Sequence, residues 1–132
     1  MIRLLIADDH ALVRSGLRSM LKREPGFEII GEAENGQEAV ELCRSLRPDL
    51  VLMDMRMPKM DGLEATRIIK QEYPEIRVLM VTMHENQDYT LEAVRAGAAG
   101  YVLKDAPRDE LVAAARRLIS DEPLNSRTLP PG

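Results

Sequence analysis

Asp8 and Asp9 follow the apolar run Leu4–Ala7, Asp54 follows Leu50–Met53, Thr82 follows Val78–Val81, and Lys104 follows Tyr101–Leu103. Three carboxylates, a hydroxyl and an ammonium therefore stand at the ends of four apolar runs. Adjacent acids beside a buried run repel each other and lose water, so they need a partner. A hard divalent cation is the natural one, and Mg2+ favours oxygen ligands while retaining waters. On this reading Asp9 and Asp54 hold a Mg2+ that also binds a phosphoryl oxygen. Thr82 donates to a second oxygen and Lys104 pairs with a third. Asp54 is then a nucleophile toward phosphorus and forms an acyl phosphate. The protein contributes positioning and charge neutralisation.

The runs themselves must bring these residues together. None of the four alternates with polar residues, so each reads as a strand buried on both faces, as in a parallel sheet. Phe27–Gly31 partly alternates and reads as a strand nearer an edge. Helical spacing lies between the runs. Val13, Leu17, Met20 and Leu21 share one face, closed by Pro25-Gly26. Asn35 with Glu38 resembles a capping box before Ala39, Val40, Cys43 and Leu46, and Pro48 ends that helix. Asp61 with Glu64 repeats the start signal before Ile68 and Ile69. Leu91 and Val94, with Arg95, stripe a fourth helix stopped by Gly97. Pro107 suits a first helical position before Leu111, Val112, Ala115, Leu118 and Ile119. Strict (βα)5 alternation with short loops predicts an open, doubly wound α/β sheet. Ligands bind such sheets beyond the carboxyl ends of the strands, the edge that the five polar residues share.

The bulk numbers narrow the function classes. The 132 residues suit one domain, and 45% hydrophobic with 30% charged is a globular balance. With 18 basic and 22 acidic residues the net charge is −4, which argues against a nucleic-acid or anionic-membrane binder. Cys43 is the only cysteine, so no internal disulfide forms and a reducing compartment fits. No apolar stretch approaches the roughly 20 residues of a membrane span. A cytoplasmic location is expected.

Four segments carry a family resemblance: "LIADDH" (5–10), "PDLVLMDMRMPKMDGLEATRII" (48–69), "VLMVT" (78–82) and "AGAAGYVLKD" (96–105). The chain resembles the receiver domain of a two-component response regulator from residue 2 to about 120. "ADDH", "MRMPKMDG", "TMHE" and "GYVLKDAPRDEL" resemble the NarL/FixJ (LuxR-type) branch. The resemblance implies a flavodoxin-like five-stranded sheet in the order 2-1-3-4-5. It implies that Asp54 accepts phosphate from a phosphohistidine on a sensor histidine kinase. It implies Mg2+ ligated directly by Asp9, Asp54 and the backbone carbonyl of Arg56, with Asp8 acting mainly through water. Thr82 and Lys104 would contact the phosphoryl group, and Tyr101 occupies the switch-aromatic position. Family receivers signal through the face of the fourth helix, fifth strand and fifth helix; members of this branch often dimerise through the first and fifth helices. The expected product is a phospho-accepting switch with self-catalysed phosphorylation and autodephosphorylation, not a turnover enzyme. A haloacid-dehalogenase phosphatase would need a second Asp where Arg56 stands, and the intact acid set argues against a dead-site pseudo-receiver.

Two departures from the resembled pattern stand out. Lys104 precedes Asp105, so the Lys-Pro bond of many receivers is missing, as is common in this branch. Met83, following Thr82, is larger than the residue often found there; with Arg56 and His84 it is expected to tune autodephosphorylation. His10 and His84 match no zinc-motif spacing. Gly62 reads equally as a helix start or as a point of tight packing. Residues 121–132 read as a linker or tail after a receiver domain over 1–120, with an output domain that contacts DNA expected outside this chain.

Overall fold

The computed structural model describes residues 1–83 and 87–119. Ten elements alternate: β1 (Ile2–Ala7), α1 (Ala11–Lys22), β2 (Phe27–Ala33), α2 (Gly36–Leu46), β3 (Leu50–Asp54), α3 (Gly62–Glu72), β4 (Arg77–Thr82), α4 (Gln87–Ala96), β5 (Gly100–Leu103) and α5 (Arg108–Ile119). The five strands are parallel, in the order β2-β1-β3-β4-β5. This is the flavodoxin-like arrangement expected, with β2 on an edge. The order reverses direction beside β1, so β1 and β3 are neighbours although a whole βα unit separates them in sequence.

Two apolar layers hold the sheet. One face packs Ala39, Val40 and Cys43 of α2, Ala65 and Ile69 of α3, and Ala93 of α4 against Leu5, Val51, Met53, Val78 and Met80. The other packs Leu17 and Leu21 of α1 and Leu111, Val112, Ala115 and Leu118 of α5 against Leu4, Ile6, Leu52, Leu79 and Val81. Consecutive strand residues feed opposite layers, which is why the runs are continuously apolar. Every residue of β3 is buried, including Asp54 at its end.

The helix starts follow their caps. Asn35 accepts from the Glu38 N–H at 2.8 Å, and Asp61 accepts from the Glu64 N–H at 2.9 Å. The reciprocal arm of the Asn35 box reaches one residue further back, to the Glu34 N–H at 2.8 Å. Pro107 lies one position before α5 rather than inside it, and its carbonyl accepts from Glu110 and Leu111.

The fourth helix corrects an expectation. Its buried positions are Ala93 and Ala96, whereas Leu91 and Val94 stand 48% and 62% exposed. Small side chains let a helix lie close against its neighbours, so here alanines carry the contact and the larger apolar residues face outward. The expectations for His84 and for the tail over 121–132 lie outside the described residues.

Candidate functional site

The carboxyl ends of β1, β3 and β4 and the residue after β5 gather the acids, the hydroxyl and the ammonium at one edge. The parallel ladders fix their depth: Ala7 pairs with Met53, Asp54 with Val81, and Thr82 with Leu103. Asp8, Asp54 and Thr82 are buried, at 1%, 5% and 1% exposure. The Lys104 ammonium sits between two of the carboxylates, 2.8 Å from Asp8 Oδ2 and 3.3 Å from Asp54 Oδ2. Its backbone N–H donates to the Thr82 carbonyl at 2.7 Å, extending the ladder past the end of β5.

Electrostatics single out Asp54. Burial, and then the charge of Asp8, push its carboxyl up to about 6. Lys104 and the Arg56 backbone N–H act against that rise. Burial works to lower the Lys104 ammonium, but the hydrogen bond it donates to Asp8 and the charges of Asp54 and Asp8 outweigh it, so its pKa is raised. Lys104 stays charged, and Asp54 is a carboxylate whose charge is under-compensated. Such a group attracts a cation and is poised for chemistry.

The oxygens are not equivalent. Asp8 Oδ1 accepts the His10 backbone N–H at 2.9 Å and Asp8 Oδ2 is taken by Lys104. Asp9 Oδ1 is buried without a hydrogen-bond partner. An orphaned buried carboxylate oxygen beside two further acids is the feature that a hard cation satisfies. Ligand atoms from Asp8, Asp9, His10 and Asp54 all lie within 4.8 Å of one another. The residues present therefore fit a Mg2+ ion.

Other expected residues take mixed positions. Tyr101 pairs in register with Met80, two residues before Thr82, and is half-buried against the layer under α2, α3 and α4. Arg56 is exposed, and its guanidinium donates to the Tyr89 hydroxyl of α4 and lies 5.4 Å from the centre of that ring. Met83 is 70% exposed and borders a shallow groove with Val13, Gly16, Leu17, Met20, Lys104 and Asp105. That groove lies between α1 and the end of β5, where Lys104 stands.

Two residues escaped the sequence reading, and a third, His10, was set aside there on its spacing. Arg14 donates to the Asp8 carbonyl at 2.6 Å and pairs with Glu32 at 3.3 Å, anchoring the β1–α1 turn to β2. No sequence pattern signals this, since the i,i+4 backbone bond from Arg14 N to His10 O only places Arg14 in the first turn of α1. Tyr89 is reached by Arg56 across 33 residues, a separation no local pattern reports. His10 places Nδ1 3.3 Å from Asp8 Oδ1 and 3.2 Å from Asp9 Oδ1. Its adjacency to the acid pair is the signal in the sequence, and zinc-motif spacing does not register it.

Known proteins share this fold. The family described as response regulator receiver domain matches residues 4–116. The transcriptional regulatory protein DegU of Brevibacillus brevis is 42% identical over 115 residues, 87% of this chain and 49% of that protein. The response regulator GacA of Pseudomonas aeruginosa is 42% identical over 122 residues, 92% of this chain and 57% of that protein. The chain thus spans about half the length of these relatives. A crystal structure of a LuxR-family two-component response regulator from Aurantimonas sp. SI85-9A1 superposes with a TM-score of 0.87 at 40% identity, covering 91% of this chain and 86% of that one. Among the described residues, no helix is long and apolar enough to cross a membrane.

Proposed function

The chain belongs to the response regulator receiver family, in its LuxR-type branch, and from that membership we propose that Asp54 is the phosphoacceptor of a two-component signalling switch. The observation that carries this reading is the pairing of Lys104 with both Asp8 and Asp54 beside the open oxygen of Asp9. The donor is a phosphohistidine of a sensor histidine kinase. An Asp54 carboxylate oxygen attacks phosphorus, the phosphorus–nitrogen bond breaks, and the imidazole departs with the bonding pair.

Asp9, Asp54 and the Arg56 carbonyl would hold Mg2+, with Asp8 reaching it through a water. When bound, Mg2+ neutralises phosphoryl charge and orients the transferred group. Lys104 exchanges one carboxylate partner for a phosphoryl oxygen, and the Thr82 hydroxyl donates to another. That pull on Thr82 is transmitted to Tyr101, two register positions back, and repacks the α4–β5–α5 face. The outward Leu91 and Val94 of α4 support that surface as one that changes partners. Dimerisation through α1 and α5 is the alternative output of the same switch. The complete protein would act in the cytoplasm on transcription, through a DNA-binding region beyond this chain.

The decisive experiment is incubation with acetyl phosphate and Mg2+, read by intact mass. One phosphoryl adduct is expected in the wild type, lost in Asp54→Asn and on chelation of Mg2+. An adduct that survives Asp54→Asn overturns the assignment. Rapid multiple turnover on small phosphate esters would instead indicate a phosphatase.

Two finer assignments have their own tests. Both Asp8 oxygens are already engaged while Asp9 Oδ1 is open, so Asp9→Asn should weaken Mg2+ binding more than Asp8→Asn does. Calorimetric titration of the two variants checks this; the reverse order would exchange their roles. Met83 borders the site beside Lys104, so Met83→Ala should change the half-life of the phosphorylated protein, and an unaltered half-life removes Met83 from the tuning set. Arg56 and His84 complete that proposed set, Arg56 through its position two residues after Asp54.

A further inference from the structure

Arg56 and Tyr89 meet across 33 residues at a cavity beside the acid cluster. The cavity measures about 790 Å³ and lies between the β1–α1 turn, the loop after β3 and the first turns of α4. Three carboxylates line it, from Asp9, Asp61 and Glu92. A phosphodonor is an anion, and three like charges oppose its entry. Among the described residues lining the cavity, Arg56 carries the one permanent positive charge. Its side chain is exposed, so left alone the guanidinium would range over many rotamers. Tyr89 restricts that freedom. The guanidinium donates to the Tyr89 hydroxyl and lies 5.4 Å from the ring centre, within cation–π reach. Tyr89 stands in the first turn of α4 and packs half-buried against the apolar layer that α4 shares with α2 and α3. It is a fixed post for a mobile charge.

We propose that Tyr89 is a positioning residue for phosphoryl transfer to Asp54: it holds the Arg56 guanidinium at this cavity, where the guanidinium receives the dianionic phosphoryl group of the donor. This role rests on Asp54 being the phosphoacceptor. A guanidinium presents its N–H donors in a planar fork that matches phosphate oxygens. Nη2 serves the Tyr89 hydroxyl, and the rest of the fork is left for an anion. Only Met55, which is buried, separates Arg56 from Asp54 in the chain. The root of Arg56 is thus fixed at the site, and only its tip needs placing. A neutral hydroxyl steadies that tip without cancelling its charge, as ion pairing to Glu92 of the same cavity would do.

The test is the rate of Asp54 labelling, followed by quenched intact mass, in the wild type, Tyr89→Phe, Arg56→Ala and the double variant. Two donors are compared at equal Mg2+ and ionic strength: acetyl phosphate, a dianion at neutral pH, and phosphoramidate, mostly a monoanion. Phenylalanine keeps the ring and removes only the hydroxyl. Tyr89→Phe should slow labelling by acetyl phosphate roughly 3- to 10-fold, the loss that one hydrogen bond typically carries. The loss with phosphoramidate should be about half that factor or less, because its smaller net charge gains less from the guanidinium. A merely structural defect would slow both donors alike. The double variant should be no slower than Arg56→Ala, because Tyr89 acts only through Arg56. Mg2+ affinity of Tyr89→Phe, by calorimetry, should stay within about two-fold of the wild type, since its ligands are untouched oxygens. Equal losses with the two donors, additive losses in the double variant, an unaltered rate in Tyr89→Phe or a larger fall in its Mg2+ affinity each overturn the role of Tyr89 and leave Asp54 as acceptor. Wild-type labelling that does not depend on Asp54 overturns the phosphoacceptor reading as well.

Discussion

Metal-free Asp54→Asn should be more stable than the wild type at pH 7, by roughly 2–3 kcal/mol, although it abolishes phosphate acceptance. The cause is the cost of the ionised carboxylate in the fold. Burial and the neighbouring Asp8 raise Asp54 from 3.8 to about 6, against the opposing pull of Lys104. A carboxyl raised on folding binds its proton more tightly in the native state than in the unfolded chain. Stability from this group is therefore fully present below about pH 4 and is lost as pH rises through about 6. At pH 7 the native carboxylate carries the whole penalty. Asparagine has the same shape without the charge, so it escapes that penalty. Its advantage over wild type should be small near pH 4, grow up to about pH 6, and level off above, because every other group is common to both proteins. Thermal melts across that range check it, with an expected gain of roughly 5–10 °C at neutral pH. Added Mg2+ should raise the melting temperature of the wild type and leave Asp54→Asn nearly unmoved. A variant less stable than wild type at pH 7 would mean that the Lys104 pairing outweighs the repulsion from Asp8 and the cost of burial.

Gly62→Ala should cost roughly 3 kcal/mol and disturb Asp54 without touching its side chain. Gly62 opens α3, and its N–H donates to the Met55 carbonyl at 2.8 Å. A Cβ there would lie 1.9 Å from the Asp54 carbonyl oxygen and 2.9 Å from its carbon. Both neighbours are backbone, so no side-chain rotation relieves the overlap; the helix start or the end of β3 must shift. The requirement is space, since the positive φ values among described glycines fall at Gly26 and Gly97, not at Gly62. The shift would be felt at Asp54 itself and at the neighbouring Arg56 carbonyl. Denaturant unfolding should show the lost stability, and acetyl phosphate labelling should slow in the surviving folded fraction. Gly16 is the control. It lies in α1, and a Cβ added there would meet nothing within 4 Å. Gly16→Ala should therefore stabilise by roughly 0.5–1 kcal/mol through helix propensity alone. Equal effects at the two glycines would refute the packing account.

These two cases divide what was legible from what was not. The strands were legible because apolar runs buried on both faces leave a continuous signal, and the fully buried β3 is its clearest instance. The cap residues Asn35 and Asp61 were legible because a cap reaches only three residues ahead. The face of α4 was not, since Leu91 and Val94 outrank alanine in any apolar pattern while close approach favours alanine. Gly62 stayed undecided between a helix start and tight packing until the Asp54 carbonyl was seen beside it.

By itself the sequence determined the alternation of strands and helices and the polar residues that end the strands. In a parallel (βα)5 sheet that is enough to bring Asp8, Asp9, Asp54, Thr82 and Lys104 to one edge. Only the tertiary structure decided how those groups share their charges. It gave Lys104 to Asp8 and Asp54, left Asp9 Oδ1 open, and set His10 beside it. The physical reason is range. Secondary structure follows from neighbours a few residues apart, whereas pairing inside a buried site depends on ångström-scale distances between segments 46 to 96 residues apart, from Asp8 to Asp54 and to Lys104.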